Sequence, residues 1–301
     1  MNLINKLNKG DKIALIAPAG AVFENSLIDK SIEKINSFGY VVKLGKYIDC
    51  KHGYLAGDDS KRLQDLYEAF VDNEVKAIFC IRGGYGTIRL LDKIPYDIIE
   101  KNKKIFVGYS DITSLHSAFS YLKFPTFHGP MFNYDLYKSP DNYKIMFDFL
   151  EGKFEVLEYE LMPIKGGDID GIIVGGNLTV LCSLIGSKYL YDFDDKILFI
   201  EEINEEPYKI DRLFNQLYHS NILKKIKGII LGSFTKCDPE DISKSFNLDY
   251  IFNYLKELTD KPIYKGLESG HDYINKIIPF NIPIKIKNNK LTIKKGDVFI
   301  D

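Results

Sequence analysis

Ser110 is the first residue of this chain whose setting suggests chemistry. It lies in Gly108-Tyr109-Ser110-Asp111, between the apolar run Ile105-Phe106-Val107-Gly108 and the helix-like stretch that starts at Asp111. A strand turning sharply into a helix there exposes the hydroxyl and aims the next backbone N–H groups at the same place, which is the logic of a nucleophile elbow. The elbow pattern G-x-S-x-G is incomplete, because Ile112 stands where its second glycine belongs. Read alone, Ser110 or Asp111 serves equally well as a helix N-cap. A second loop, Arg82-Gly83-Gly84-Tyr85-Gly86, lacks the spacing and the lysine of phosphate-binding loops. Its glycines let a backbone N–H approach a developing oxyanion. A plain tight turn is the other reading.

A serine nucleophile needs a base, and the base needs an orienting carboxylate. The five histidines are His52, His116, His128, His219 and His271. His116 is six residues after Ser110 on the same predicted helix, so the two face different sides. His219 ends a helix, where its charge favours the dipole. His128 follows a strand and is placed to line the same cleft. His271 lies in the small polar loop Glu268-Ser269-Gly270-His271-Asp272, the kind of segment that carries function. For the acid, the apolar run Ile197–Ile200 ends in Glu201-Glu202. A solvated strand end explains that pair as well as a functional one does. Successive strand side chains point to opposite faces, so only one of the two can reach a given partner.

These residues hang on a repeating frame. Short apolar runs at 12–17, 40–44, 77–81 and 104–107 alternate with helical periodicity, and each is followed by a turn. That rhythm predicts a doubly wound parallel sheet, whose ligands bind at the C-terminal strand ends. The pattern changes near residue 152. We expect an N-terminal domain over 1–152, a linker over 153–169 and a second domain over 170–301.

Composition excludes several classes. Of 301 residues, 45 % are hydrophobic and 27 % charged, typical of a globular protein with a substantial core. The net charge of −2 leaves no footprint for nucleic acid or an anionic membrane. The lysines between Lys285 and Lys295 read as solvated faces of short strands. Cys50, Cys80, Cys182 and Cys237 form no CxxC pair, and the histidines show no metal spacing, so neither a metal nor a cofactor is expected. The N-terminal lysines and the apolar run after them mimic a signal peptide, but Pro18 and Gly20 favour a strand and turn. No apolar run has the length of a membrane span. A cytoplasmic protein is expected.

Taken in order, RGGYG, FVGYSDIT, FHGPM, GGNL, LFIEEINEEPYKIDR, GSFTKC and SGH resemble the LD-carboxypeptidases, peptidase family S66, and their microcin C immunity relatives. The resemblance runs from IALIAPAG to about Pro279. It implies a Rossmann-like doubly wound parallel sheet domain followed by a smaller β-rich C-terminal domain. It also implies a Ser-Glu-His triad, carried here by Ser110, Glu201 and His271. Gly84 and Asp111 would supply backbone donors to the oxyanion hole, and Arg82 or Arg89 would meet the substrate carboxylate, with Arg82 preferred. The implied partner is a small peptide or muropeptide, and family members are commonly homodimers. The immunity relatives use an aromatic, often Trp, to stack a nucleobase. This chain has no Trp, which favours the murein-recycling branch over a peptidyl-nucleotide peptidase. A non-catalytic Rossmann-like binding module is the rival of another class.

Overall fold

The computed structural model describes residues 3–300. The four apolar runs form β1 (Lys12–Ile16), β2 (Val41–Leu44), β3 (Val75–Cys80) and β4 (Ile105–Gly108), and a fifth strand, β5 (Thr126–His128), joins them. All five are parallel, in the order β5-β4-β3-β1-β2. β1, β3, β4 and β5 are buried along nearly their whole length. That is why β1, β3 and β4 read as apolar runs rather than as alternating ones. The helix Asp59–Val71 starts where Asp58 accepts from the Lys61 N–H at 3.0 Å, a side-chain N-cap.

The second sheet is built from β6 (Val156–Glu160), β7 (Met162–Lys165), β8 (Ile169–Asn177), β9 (Lys196–Ile203), β10 (Gly228–Thr235) and β11 (Ile263–Lys265), and from two later strands described next. β12 (Ile278–Phe280) instead returns to the first sheet and pairs antiparallel with β5. β13 (Ile282–Lys287) and β14 (Lys290–Lys294) complete the second sheet. Its order is β6-β14-β13-β8-β9-β10-β11-β7, with a parallel centre from β8 to β11 and antiparallel flanks. With eight strands against six, it is the wider of the two sheets. The stretch 153–169, expected as a linker, contributes β6 and β7 to opposite edges of this sheet. Lys285 and Lys287 on β13 point outward between buried isoleucines.

β9 separates two hydrophobic cores. Ile197 and Phe199 face the core shared with the first sheet, while Leu198 and Ile200 face a core with the helix Pro207–His219. Strand alternation therefore sends Glu201 toward the first sheet and Glu202 the other way. The two halves also meet where β8 ends. The Asn177 N–H donates to Thr113 Oγ1 at 2.9 Å, on the helix that follows Ser110. A methyl group on Gly176 would stand 2.3 Å from that hydroxyl, and the residue has φ +140°. Only glycine fits both constraints.

This contact yields a graded expectation. Gly186 has φ +91° with nothing within 4 Å, so Gly186→Ala isolates backbone strain, about 1–2 kcal/mol. Gly176→Ala adds a clash across the seam and should cost about 2–5 kcal/mol. Urea unfolding of both variants measures the difference, and equal losses would remove the seam from the account.

Candidate active site

Ser110 follows β4 with only Tyr109 between them and adopts φ +64°, unusual for a residue with a side chain. A short 3₁₀ turn, Ser110–Ile112, then leads into the helix Thr113–Phe119. Asp111 locks this bend. Its carboxylate, 3 % exposed, accepts from the Thr87 N–H at 2.9 Å and so ties the elbow to the end of the glycine turn. Burial pushes the Asp111 carboxyl up, and the bonds from Thr87 oppose that rise. The same end of the turn is also held by Arg62, buried and donating to Pro18 O at 2.7 Å and Gly86 O at 2.8 Å.

The glycine turn touches the serine. A methyl group on Gly83 would lie 3.0 Å from Ser110 Oγ and 3.3 Å from the Asp111 nitrogen. Gly84, one residue on, is exposed. Its N–H donates to no protein acceptor among the described residues. Arg82 braces the same turn. Its guanidinium donates to Ala21 O at 2.6 Å through Nη1 and to Gly83 O at 3.2 Å through Nε, and it lies over the Tyr134 ring. Nη2 carries no protein acceptor among the described residues and lies 3.3 Å from where a Gly84 methyl would be. Arg89 is turned away, paired with Asp59 at 2.9 Å.

Glu201 is fully buried, and its Oε2 lies 2.7 Å from His271 Nδ1. Glu202, also buried, accepts from Asn177 Nδ2, Thr179 N and Ile203 N at 2.8, 2.8 and 2.9 Å, and so caps the helix Leu178–Ser183. One acid of the pair thus holds a histidine and the other a helix end. Burial pushes the His271 imidazole down, but the Glu201 charge and hydrogen bond push it up further, and its net pKa is raised from 6.5. Lys138 opposes that rise and Asp135 adds to it. The His271 ring stands 4.7 Å from the Tyr109 ring, which places it beside the residue preceding Ser110. In this conformation Ser110 Oγ makes no hydrogen bond among the described residues. Such bonds often tighten only with substrate bound.

The other histidines do not pair with Glu201. His116 is buried, bonded to Gly108 O at 2.8 Å and pushed down to about 4 by burial. His128 is buried among Tyr109, Phe199 and Phe280 and is pushed well down by burial. His52 and His219 are exposed on the surface. Among the described residues no cluster of His, Cys, Asp and Glu could hold a metal ion, and no helix is long and apolar enough to cross a membrane. A groove of about 1340 Å³ beyond the ends of β9 and β10, from Asn204 to Phe246, contains none of Ser110, Glu201 and His271. Asp135 and Lys138 went unnoticed in the sequence, and Gly83 and Tyr109 were named there only as members of their motifs. A glycine's neighbour across a turn leaves no local pattern, and Asp135 and Lys138 read as an ordinary surface pair three residues apart.

Fold and site together define a two-domain α/β protein with a serine elbow on the first sheet, a buried glutamate on the second and its histidine partner in the loop between β11 and β12. The model of the LD-carboxypeptidase N-terminal domain matches residues 13–129, and that of the C-terminal domain matches 170–286. The chain is 40 % identical over 272 residues to the probable murein peptide carboxypeptidase of Bacillus subtilis, covering 88 % of this chain and 85 % of that one. It is 30 % identical to the murein tetrapeptide carboxypeptidase of Pseudomonas aeruginosa, over 93 % of this chain and 94 % of that one. Among solved structures, the muramoyltetrapeptide carboxypeptidase of Oxalobacter formigenes superposes with a TM-score of 0.86 at 30 % identity, over 96 % of this chain and all of that one. MccF in complex with glutamyl sulfamoyl guanosine shares the fold, with a TM-score of 0.90 at 21 % identity over 98 % of this chain and 99 % of that one. The chain belongs to the LD-carboxypeptidase family, peptidase family S66, of serine-type peptidases.

The electrostatics make a testable statement. In an NMR titration the His271 imidazole should titrate above 6.5 in the wild type, because Glu201 favours its charged form. In Glu201→Gln burial and Lys138 still push the imidazole down and only Asp135 pushes it up, so the titration should move to lower pH. An unmoved titration would break the link between the two residues.

Proposed function

We propose that the protein hydrolyses the amide bond between a diamino acid and the terminal D-alanine of a muropeptide. One observation carries the reading: a buried Glu201–His271 pair beside a serine held at positive φ, in a chain whose relatives bear murein carboxypeptidase names. His271 takes the proton of Ser110 Oγ as the oxygen attacks the penultimate carbonyl carbon. Glu201 holds the imidazole with its other nitrogen toward Ser110 and stabilises the imidazolium that forms. The Gly84 and Asp111 N–H groups receive the oxyanion, each donor typically worth about 10²–10³ in rate. The C–N bond breaks, His271 protonates the departing amine, and D-alanine leaves. Water activated by His271 then cleaves the acyl-serine ester. Arg82, with Nη2 free beside Gly84, receives the terminal carboxylate. The reading carries with it action as a homodimer in the cytoplasm, on muropeptides released for recycling.

Ser110→Ala should abolish turnover of a murein tetrapeptide without lowering the thermal midpoint. Retained turnover in the pure variant would move the nucleophile elsewhere. Glu201→Gln should lower kcat by about 10⁴, the loss seen when the comparable acid is removed from a serine protease. Glu202→Gln should act mainly on stability, through the helix it caps. Arg82→Met should raise KM far more than it lowers kcat. Assay of the wild type against a tetrapeptide and an aminoacyl sulfamoyl adenylate chooses the substrate. Cleavage of the adenylate alone would make the protein an immunity-type peptidase, and cleavage of neither would favour a binding module.

A further inference from the structure

A loop that carries a catalytic base gains precision only if its backbone is tied down on both sides of that base. Within the His271 loop, the Gly270 N–H donates to Asn275 Oδ1 at 2.9 Å, and Ser269 Oγ donates to Lys276 O at 2.8 Å. Those bonds shape the loop but reach no residue outside it; its C-terminal end runs into β12, on the sheet that carries Ser110. The segment after β5 supplies the missing bonds. Lys138 Nζ donates to the His271 carbonyl O at 2.8 Å. The Ser139 N–H and Asn142 Nδ2 both donate to Tyr273 O, at 3.3 and 3.0 Å, and Asn142 Oδ1 accepts from the Asn275 N–H at 3.0 Å.

Lys138 is itself held. It pairs with Asp135 Oδ1 at 2.8 Å, and Asp135 is 2 % exposed. The same Oδ1 accepts from the Tyr109 hydroxyl at 2.9 Å, while Asp135 Oδ2 accepts from the Met131 N–H at 2.8 Å. Tyr109 is the residue before Ser110, and its ring packs against the His271 imidazole. One buried carboxylate therefore joins the residue next to the proposed nucleophile to the cation on the backbone of the proposed base.

We propose that Tyr109, Asp135 and Lys138 form a positioning unit that sets the His271 imidazole relative to Ser110, an inference that rests on reading those two residues as base and nucleophile. None of the three is asked to touch the reacting atoms. Tyr109 fixes the ring from the nucleophile's side, Lys138 fixes the backbone, and Asp135 holds both to one point. A buried charge pair that loses one member leaves the other unpaired, so the unit acts as a whole.

The unit also has an electrostatic signature that a purely structural brace lacks. Glu201 faces His271 from β9, and Asp135 and Lys138 face it from the segment after β5. His128 faces it from β5, with burial keeping it uncharged, and the buried Tyr109 phenol stays protonated. The exposed Asp272 adjoins it in its own loop. Of these, the Lys138 ammonium disfavours the imidazolium and the two facing carboxylates favour it. Removing the ammonium should raise the pH at which the base becomes available.

The test is the pH profile of kcat/KM for tetrapeptide hydrolysis by wild type, Lys138→Met, Lys138→Arg and Tyr109→Phe, with Ser110→Ala beside them. Lys138→Met should lower kcat by about ten- to a hundredfold, leave KM little changed, and move the acid limb to higher pH. Lys138→Arg, which keeps the cation, should restore the limb. Tyr109→Phe keeps the ring and every charge, so it should lower kcat with the limb in place. That variant keeps the proposal testable even if Lys138→Met folds poorly. A wild-type kcat in Tyr109→Phe, or an unmoved limb in folded Lys138→Met, would overturn the positioning unit. Activity surviving in Ser110→Ala would instead overturn the nucleophile assignment beneath it.

Discussion

The arrangement depends on an imidazole held from two sides. Glu201, buried on the second sheet, meets His271 Nδ1 at 2.7 Å, and Lys138, packed beside the first, meets the His271 carbonyl at 2.8 Å. Each anchor is costly by itself. A carboxylate with no exposed surface loses its hydration, and its hydrogen bond among the described residues goes to this one nitrogen. Breaking such a buried pair by removing one partner typically costs about 3–5 kcal/mol, because the other charge is left without compensation. The ring orientation is therefore a by-product of the drive to keep a buried charge paired.

Strand alternation decides which acid bears that role. Ile197 and Phe199 pack toward the first sheet, Leu198 and Ile200 toward the helical layer, and the two glutamates continue the pattern. Glu202, sent to the far side, caps the helix that begins at Asn177. Asn177 in turn bonds Thr113 behind the serine elbow. The acid that stays out of the proposed chemistry thus still helps to join the two halves. Its loss would act on the seam, whereas loss of Glu201 would act on the base.

The parallel frame was legible because β1, β3 and β4 are buried on both faces and so read as apolar runs between helical periods. The motif order pointed to Ser110, Glu201 and His271. The second sheet was harder to read. β6 and β7 lie in a stretch that looked like a linker, since edge strands with one wet face carry weak apolar signals, and residues 156–165 include several exposed positions. β12 is three residues long and pairs with a strand 150 residues earlier, which no local pattern announces. Asp135 and Lys138 escaped notice for a related reason. Their spacing is that of a solvent-facing pair, whereas Asp135 is buried and Lys138 partly covered beside the His271 loop.

The central claim is that Ser110 is a nucleophile activated by His271. Diisopropyl fluorophosphate, followed by mass spectrometry of the digested protein, tests it directly. The account predicts one phosphoryl adduct, on the peptide containing Ser110, forming in step with loss of peptidase activity and much more slowly in His271→Ala. Inactivation with the adduct on another residue, or equally fast labelling of Ser110 without His271, would contradict it.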